Sequence, residues 1–248
     1  MRAAPRRLRT VLFVLAVVFG EIVLVGLGVW QVERRSWKLD LIDRVDRRVA
    51  APATAAPGPR AWPGISRDHD EYRHVRASGH FVDVRPVLVK ALTELGSGYW
   101  VLAPFETEQG FSVLVNRGFV PGDLAARVKD DAQGRQAQSS VVGLLRITEP
   151  NGAFLRSNDP GQDRWYSRDV VAIGTKLGVA DLAPYFIDAD ASLNGAGRPV
   201  GGLTVVSFPN NHLIYAVTWF SLAIMLAICS YRAFGLAPPR IGKASHSG

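Results

Sequence analysis

Two long apolar runs, one toward each end of the chain, constrain its fold more than any other feature. Residues 11–30 hold a single charge, Glu21, and residues 213–230 hold none. At 1.5 Å of rise per residue, a helix of about 20 residues crosses a hydrocarbon core about 30 Å thick. Both runs lack a polar face and carry aromatic residues near their ends, which suits lipid better than the interior of a soluble fold. Two transmembrane helices flanking a water-facing domain are therefore expected. Arg2, Arg6, Arg7 and Arg9 precede the first run as they would a signal peptide. The run exceeds the usual 7–15-residue signal core, however, so an uncleaved anchor is expected.

Lys and Arg near the span ends set orientation. The N-terminal tail (1–10) carries four Arg, and the C-terminal tail (232–248) carries Arg232, Arg240 and Lys243. Both tails are expected in the cytoplasm. Arg34, Arg35, Lys38, Arg44, Arg47 and Arg48 beyond the first span oppose this, but they open a segment too long for the charge rule to govern. The setting expected is a bacterial plasma membrane rather than a mitochondrial inner membrane. The net charge of +7 is densest at the membrane borders, where anionic lipid accounts for it. No basic stripe interleaved with aromatics is present, so nucleic acid is not an expected partner. The single cysteine, Cys229, lies in the second span, which removes thiol-based copper or redox chemistry.

Between the spans, residues 33–48 have the spacing of an amphipathic helix leaving the membrane, with Trp37, Leu39, Leu41, Ile42 and Val45 among charges. Residues 49–64 are rich in Ala and Pro and read as an extended linker. Residues 65–209 read as strands. Runs at 85–91, 99–105, 111–115, 141–147, 185–188 and 203–208 are expected to pair, with 99–105 and 111–115 forming a hairpin. Gly96-Ser97-Gly98 is expected to break a strand, and 127–140 to form a long polar loop. Asp169 can cap a short helix ending at Gly178. The fold class expected is an α+β membrane protein whose extracytoplasmic domain is antiparallel, β-rich and barrel-like.

No Gly-x-Ser-x-Gly, Walker loop or His-Glu-x-x-His occurs, so an enzyme is not expected. Asp68, His69, Asp70, Glu71 and His74 are polar but lack metal-ligand spacing, and a solvated loop is the reading preferred. Asn116 and Gly118 suit a turn at a strand end. Between them Arg117 has two readings: a bidentate anchor for an acidic partner, or a structural pair with a nearby carboxylate. Glu21, mid-span, must be neutral, paired with the second span near Ser221, or facing a partner subunit. Ala16 and Gly20 match Ala227 and Ala223 in depth, which argues for contact between the spans. His212, at the mouth of the second span, is either a hydrated interfacial residue or a haem axial ligand.

The ordered motifs resemble those of the Surfeit locus protein 1 family. They include Leu27-Gly28-Val29-Trp30-Gln31-Val32-Glu33-Arg34-Arg35, Gly79-His80-Phe81, Gly98-Tyr99-Trp100-Val101 and Val115-Asn116-Arg117-Gly118-Phe119-Val120-Pro121. Asn158-Asp159-Pro160, Trp165-Tyr166-Ser167-Arg168-Asp169, Pro199-Val200-Gly201-Gly202 and Asn211-His212-Leu213-Ile214-Tyr215 follow in order. The resemblance implies an assembly factor for haem-copper cytochrome c oxidase. Its implied partners are the oxidase catalytic subunit and the haem a synthesis machinery. Bacterial members of the family are linked to haem a, and His212 fills the position of the ligand. Trp30, Gln31 and Tyr215 lie at similar depth and are expected to wall the macrocycle. Phe119 stands where the family usually has Trp, and Glu21 is not a residue the family leads one to expect. A scaffold for oxidase subunits without haem is the alternative.

Overall fold

The computed structural model describes residues 6–130, 139–153, 155–194, 199–204 and 210–233. The chain divides into two units, Met1–Ile42 with Ser207–Gly248, and Asp43–Val206.

In the first unit, helix α1 (Arg6–Ala50) meets the C-terminal helix (His212–Ala233). Both are long and apolar enough to cross a membrane. In the C-terminal helix the buried residues Ala216, Ala223 and Ser230 fall seven apart. A seven-residue repeat keeps one seam of a helix turned toward a partner. Small residues of α1 face that seam. A Cβ on Gly28 would lie 2.6 Å from the Phe220 ring, and one on Gly20 would lie 3.1 Å from Leu226. The contact expected between the spans is present, but in another register. Gly20 meets Leu226, while Ala16 and Ala227 lie on exposed faces.

The amphipathic segment is helical as expected, because α1 continues without a break to Ala50. Its protected side is not the one expected throughout. Val45 is buried, but Trp37 and Leu39 are exposed, and the Arg34 guanidinium covers the Trp37 ring at 4.1 Å.

The second unit contains seven strands: β1 (Thr54–Ala55), β2 (His74–Phe81), β3 (Val87–Thr93), β4 (Gly96–Thr107), β5 (Ser112–Pro121), β6 (Ser139–Ile147) and β7 (Leu182–Ala189). Helix α2 (Arg67–Asp70) precedes β2, α3 (Ala125–Asp130) follows β5, and α4 (Val170–Leu177) precedes β7; the C-terminal helix is α5. Strands β2, β4 and β5 follow one another around the sheet, and β6 returns to lie beside β2, which is a Greek key. Strand β7 fits between β6 and β5 and closes a five-stranded barrel of the small Greek-key type. The expectation of an antiparallel sheet is corrected: β5 pairs β7 in parallel, as β1 pairs β2. A hairpin turn requires antiparallel neighbours, but β5 and β7 are 60 residues apart in sequence and free of that constraint.

Strand alternation sorts the core into two layers. Val75, Ala77, Phe81, Ala103, Phe105, Val113, Val115, Val141, Leu145, Tyr185 and Ile187 fill the barrel interior. Within each strand they lie two or four residues apart, which puts them on one face. The alternate residues Leu102, Leu114 and Phe186 pack outside the barrel with Val87, Val89, Trp165, Val170 and Ile173. Strands β4, β5 and β7 are thus buried on both faces, which is why they read as continuous apolar runs. Each of these fully buried large side chains contributes about 1.5–3 kcal/mol of hydrophobic stabilisation.

Several local expectations hold. The hairpin of β4 and β5 forms, and the Asp169 carboxylate accepts from the Ala172 N–H at the start of α4. Gly178 ends that helix in the left-handed region at φ 66°. Others are corrected. Gly96-Ser97-Gly98 lies within β4, and the chain turns just before it. The Ala/Pro segment is neither extended throughout nor a free linker: Pro59–Gly64 form a 3-10 helix, β1 joins the sheet, Ala56 is buried, and the Tyr185 hydroxyl donates to the Pro57 carbonyl. The polar loop expected at 127–140 begins as α3 and ends in β6, with 131–138 outside the described residues. Of the strand expected at 203–208, residues 203–204 are not strand and the others lie outside the described residues.

Candidate functional site

Two polar assemblies stand out, one in each unit. In the helical unit, His212 opens α5 and Gln31 lies on the protected seam of α1, 92% buried by its 8% exposure. The His212 Nδ1 is 2.8 Å from the Gln31 Oε1. The other ring nitrogen, Nε2, has no hydrogen-bond partner among the described residues. Nearby in sequence, the Asn210 Oδ1 is buried and has no partner among the described residues. Of the residues expected to wall a macrocycle, Gln31 is hydrogen-bonded to His212. Trp30 and Tyr215 are each 53% exposed on their helices. An imidazole with one ring nitrogen unpartnered among the described residues fits axial ligation of a haem iron. No group of three or more His, Cys, Asp or Glu with metal-site geometry exists among the described residues.

Glu21 lies on the same protected seam. Its Oε1 is fully buried and has no hydrogen-bond partner among the described residues. An unsatisfied buried polar group costs about 1–3 kcal/mol. Glu21→Leu is therefore expected to raise the thermal midpoint of the helical unit in lipid nanodiscs. A lowered midpoint would mean that the carboxyl is engaged and contributes to stability.

In the barrel, sequence reasoning missed a network centred on Asp188. This carboxylate, on β7, accepts from the Asn116 amide (2.8 Å), Arg146 (2.8 Å), Arg168 (3.1 Å) and the Thr204 hydroxyl (3.0 Å). Arg146 also donates to Glu71 at 2.8 Å, and Arg168 to Glu149 at 3.0 Å through its Nε. Burial alone would lower the Arg146 guanidinium, but the charge of Asp188 and the hydrogen bond to Glu71 outweigh it and hold the group above its ordinary range. Arg168 is raised for the same reason, by Asp188 and Glu149 against burial. The Arg146 guanidinium lies 4.8 Å from the Tyr72 ring centroid, and that of Arg168 lies 4.7 Å from Phe186. Beside them a cleft of about 460 Å³ opens, lined also by Trp100 and Leu203. Both guanidinium groups are already held by carboxylates, so the network joins strands rather than offering a free anion site.

This network accounts for several residues singled out by sequence. Asn116 bridges the Asp188 carboxylate and the Gly118 N–H. The Arg117 guanidinium lies 5.0 Å from the Phe81 ring centroid and donates to the Asn194 side-chain oxygen at 3.5 Å. The acidic cluster at 68–74 is solvated only in part: Asp68 and His69 are exposed, but Asp70 and Glu71 are buried, because Glu71 serves Arg146 and Asp70 pairs with Arg73. The Asn158 side-chain oxygen accepts from the N–H groups of Tyr166 and Ser167, folding that loop onto itself.

Comparison with known proteins fixes the relationship. A family profile described as the SURF1 family matches residues 18–224. The chain is 33% identical to Surfeit locus protein 1 of Rattus norvegicus over 237 residues, 87% of this chain and 74% of the relative. It is 34% identical to that of Homo sapiens over 240 residues, 87% and 75% of the two chains. The chain belongs to the SURF1 family. A SURF1-like protein of Monosiga brevicollis is 33% identical over 221 residues, 84% of this chain and 82% of its own. The span matched to the SURF1 family takes in Glu21, Gln31 and His212 as well as the barrel network around Asp188.

Proposed function

We propose that this chain is a membrane-anchored assembly factor for a haem-copper cytochrome c oxidase, and that it holds haem a for the catalytic subunit through His212. Membership of the SURF1 family, whose members are cytochrome c oxidase assembly factors, supports the first part. The membrane setting rests on the length and hydropathy of α1 and α5. In this reading both tails are cytoplasmic, the barrel is on the far side of a bacterial plasma membrane, and the haem a synthesis machinery supplies the cargo.

One observation carries the haem part: the His212 ring has one nitrogen engaged by Gln31 and the other without a partner among the described residues. A bound haem a would bring the redox-active iron that the oxidase needs, and His212 would hold it by that open nitrogen. The chain purified from cells that make haem a is expected to show a haem spectrum. His212→Ala and His212→Gln are expected to insert and fold yet lose that spectrum, and the oxidase of those cells is expected to be haem-poor. His246→Ala, in the C-terminal tail, is expected to change neither. Wild-type haem content in both His212 variants overturns the carrier reading in favour of a scaffold or another ligand.

A further inference from the structure

We propose that Gln31 is a positioning residue that fixes the tautomer of His212, placing the ring proton on Nδ1 and leaving the Nε2 lone pair free. This deepens the haem reading and rests on it for its purpose, but the tautomer is a property of the haem-free protein.

A neutral imidazole carries one N–H and one lone pair, and the partner of one nitrogen decides which is which. The Gln31 Oε1, 2.8 Å from Nδ1, has only lone pairs to offer, so the Nδ1 facing it carries the proton. The lone pair then resides on Nε2, the nitrogen with no protein partner among the described residues. Gln31 is buried in the seam between α1 and α5, so solvent does not compete for its amide. Without that acceptor the ring would sample both tautomers, and only one of them presents Nε2 to a metal. The arrangement is the familiar one in which a ligand imidazole donates its other N–H to a fixed acceptor. The residue expected to wall a macrocycle thus acts behind the ligand instead of beside the cargo.

The test uses the full chain, labelled with 15N-histidine, in lipid nanodiscs. Protonated and unprotonated ring nitrogens resonate far apart, and a His212→Ala spectrum identifies the His212 signals among the five histidines. Without haem, the wild type is expected to show a protonated Nδ1 and an unprotonated Nε2. Gln31→Leu is expected to give mixed tautomers, and Gln31→Glu, which keeps an acceptor, to retain the wild-type pattern. In haem a titrations, Gln31→Leu is expected to bind about 10–100-fold more weakly. Gln31→Glu is expected to bind and to lower the midpoint potential, because a carboxylate acceptor makes the imidazole more basic. A protonated Nε2 in the wild type, or an unchanged ring pattern in Gln31→Leu, overturns the assignment. If His212→Ala keeps its haem, the ligand reading fails by itself, and the nitrogen spectra still decide the role of Gln31.

Discussion

Asp188→Ala is expected to destabilise the barrel by about 3–5 kcal/mol, the usual cost of removing one partner from a buried ion pair. The side chain is 3% exposed and binds two guanidinium groups that are themselves only 13% and 12% exposed. Once it is gone, Glu71 still holds Arg146 and Glu149 still holds Arg168, but each loses its most buried contact. The Asn116 amide and the Thr204 hydroxyl lose an acceptor at the same time. For a unit of this size, a loss of that order lowers the melting midpoint by roughly 10 °C or more. Near-UV circular dichroism of the full chain in nanodiscs would follow it. Asp159→Ala serves as the control, because its pair with Arg164 is exposed and is expected to leave the midpoint near wild type. An Asp188→Ala midpoint within a couple of degrees of wild type would mean that the network is incidental to stability.

Gly28→Leu is expected to force α1 and α5 apart. A Cβ at this position would already lie 2.6 Å from the Phe220 ring, and a rigid ring cannot yield as the end of a leucine can. Overpacking of this kind costs about 1–3 kcal/mol. The measurable consequence is local. With Cys229→Ser as background, cysteines introduced by Gly20→Cys and Leu226→Cys are expected to cross-link on oxidation, because a Cβ on Gly20 would lie 3.1 Å from the Leu226 side chain. Adding Gly28→Leu is expected to cut the yield several-fold and to separate His212 from Gln31. Gly20→Ala is the milder comparison, since only a flexible side-chain end faces it. An undiminished cross-link with Gly28→Leu would show that this glycine is not what lets the helices approach.

The helical unit and the barrel are unequally legible in the sequence. Hydropathy and length alone identified α1 and α5, because an 18-residue apolar run has few alternatives. Strand alternation and turn residues found most of the strands, and Asp169 with Gly178 bounded α4, because these signals act within a few residues of chain. His212 and Gln31 are both marked by position, the first at a helix mouth and the second at a matching depth.

What the tertiary structure decided is everything that depends on which distant segments meet. Nothing local in β5 or β7 indicates that they pair in parallel, so the sheet was expected to be antiparallel and is mixed. Arg146 and Asp188 each interrupt an apolar strand, but they become partners only because β6 and β7, 34 residues apart, are neighbours in the barrel. Glu71 reads as part of a solvated loop in the sequence, and the fold sets it against Arg146. Gln31 likewise read as a wall for a macrocycle, and only the packing of α1 on α5 put its amide on the His212 ring. The helices and most of the strands follow from local signals along the chain, whereas the partner of each buried polar group follows from the fold, since burial leaves such a group only the neighbours that packing supplies.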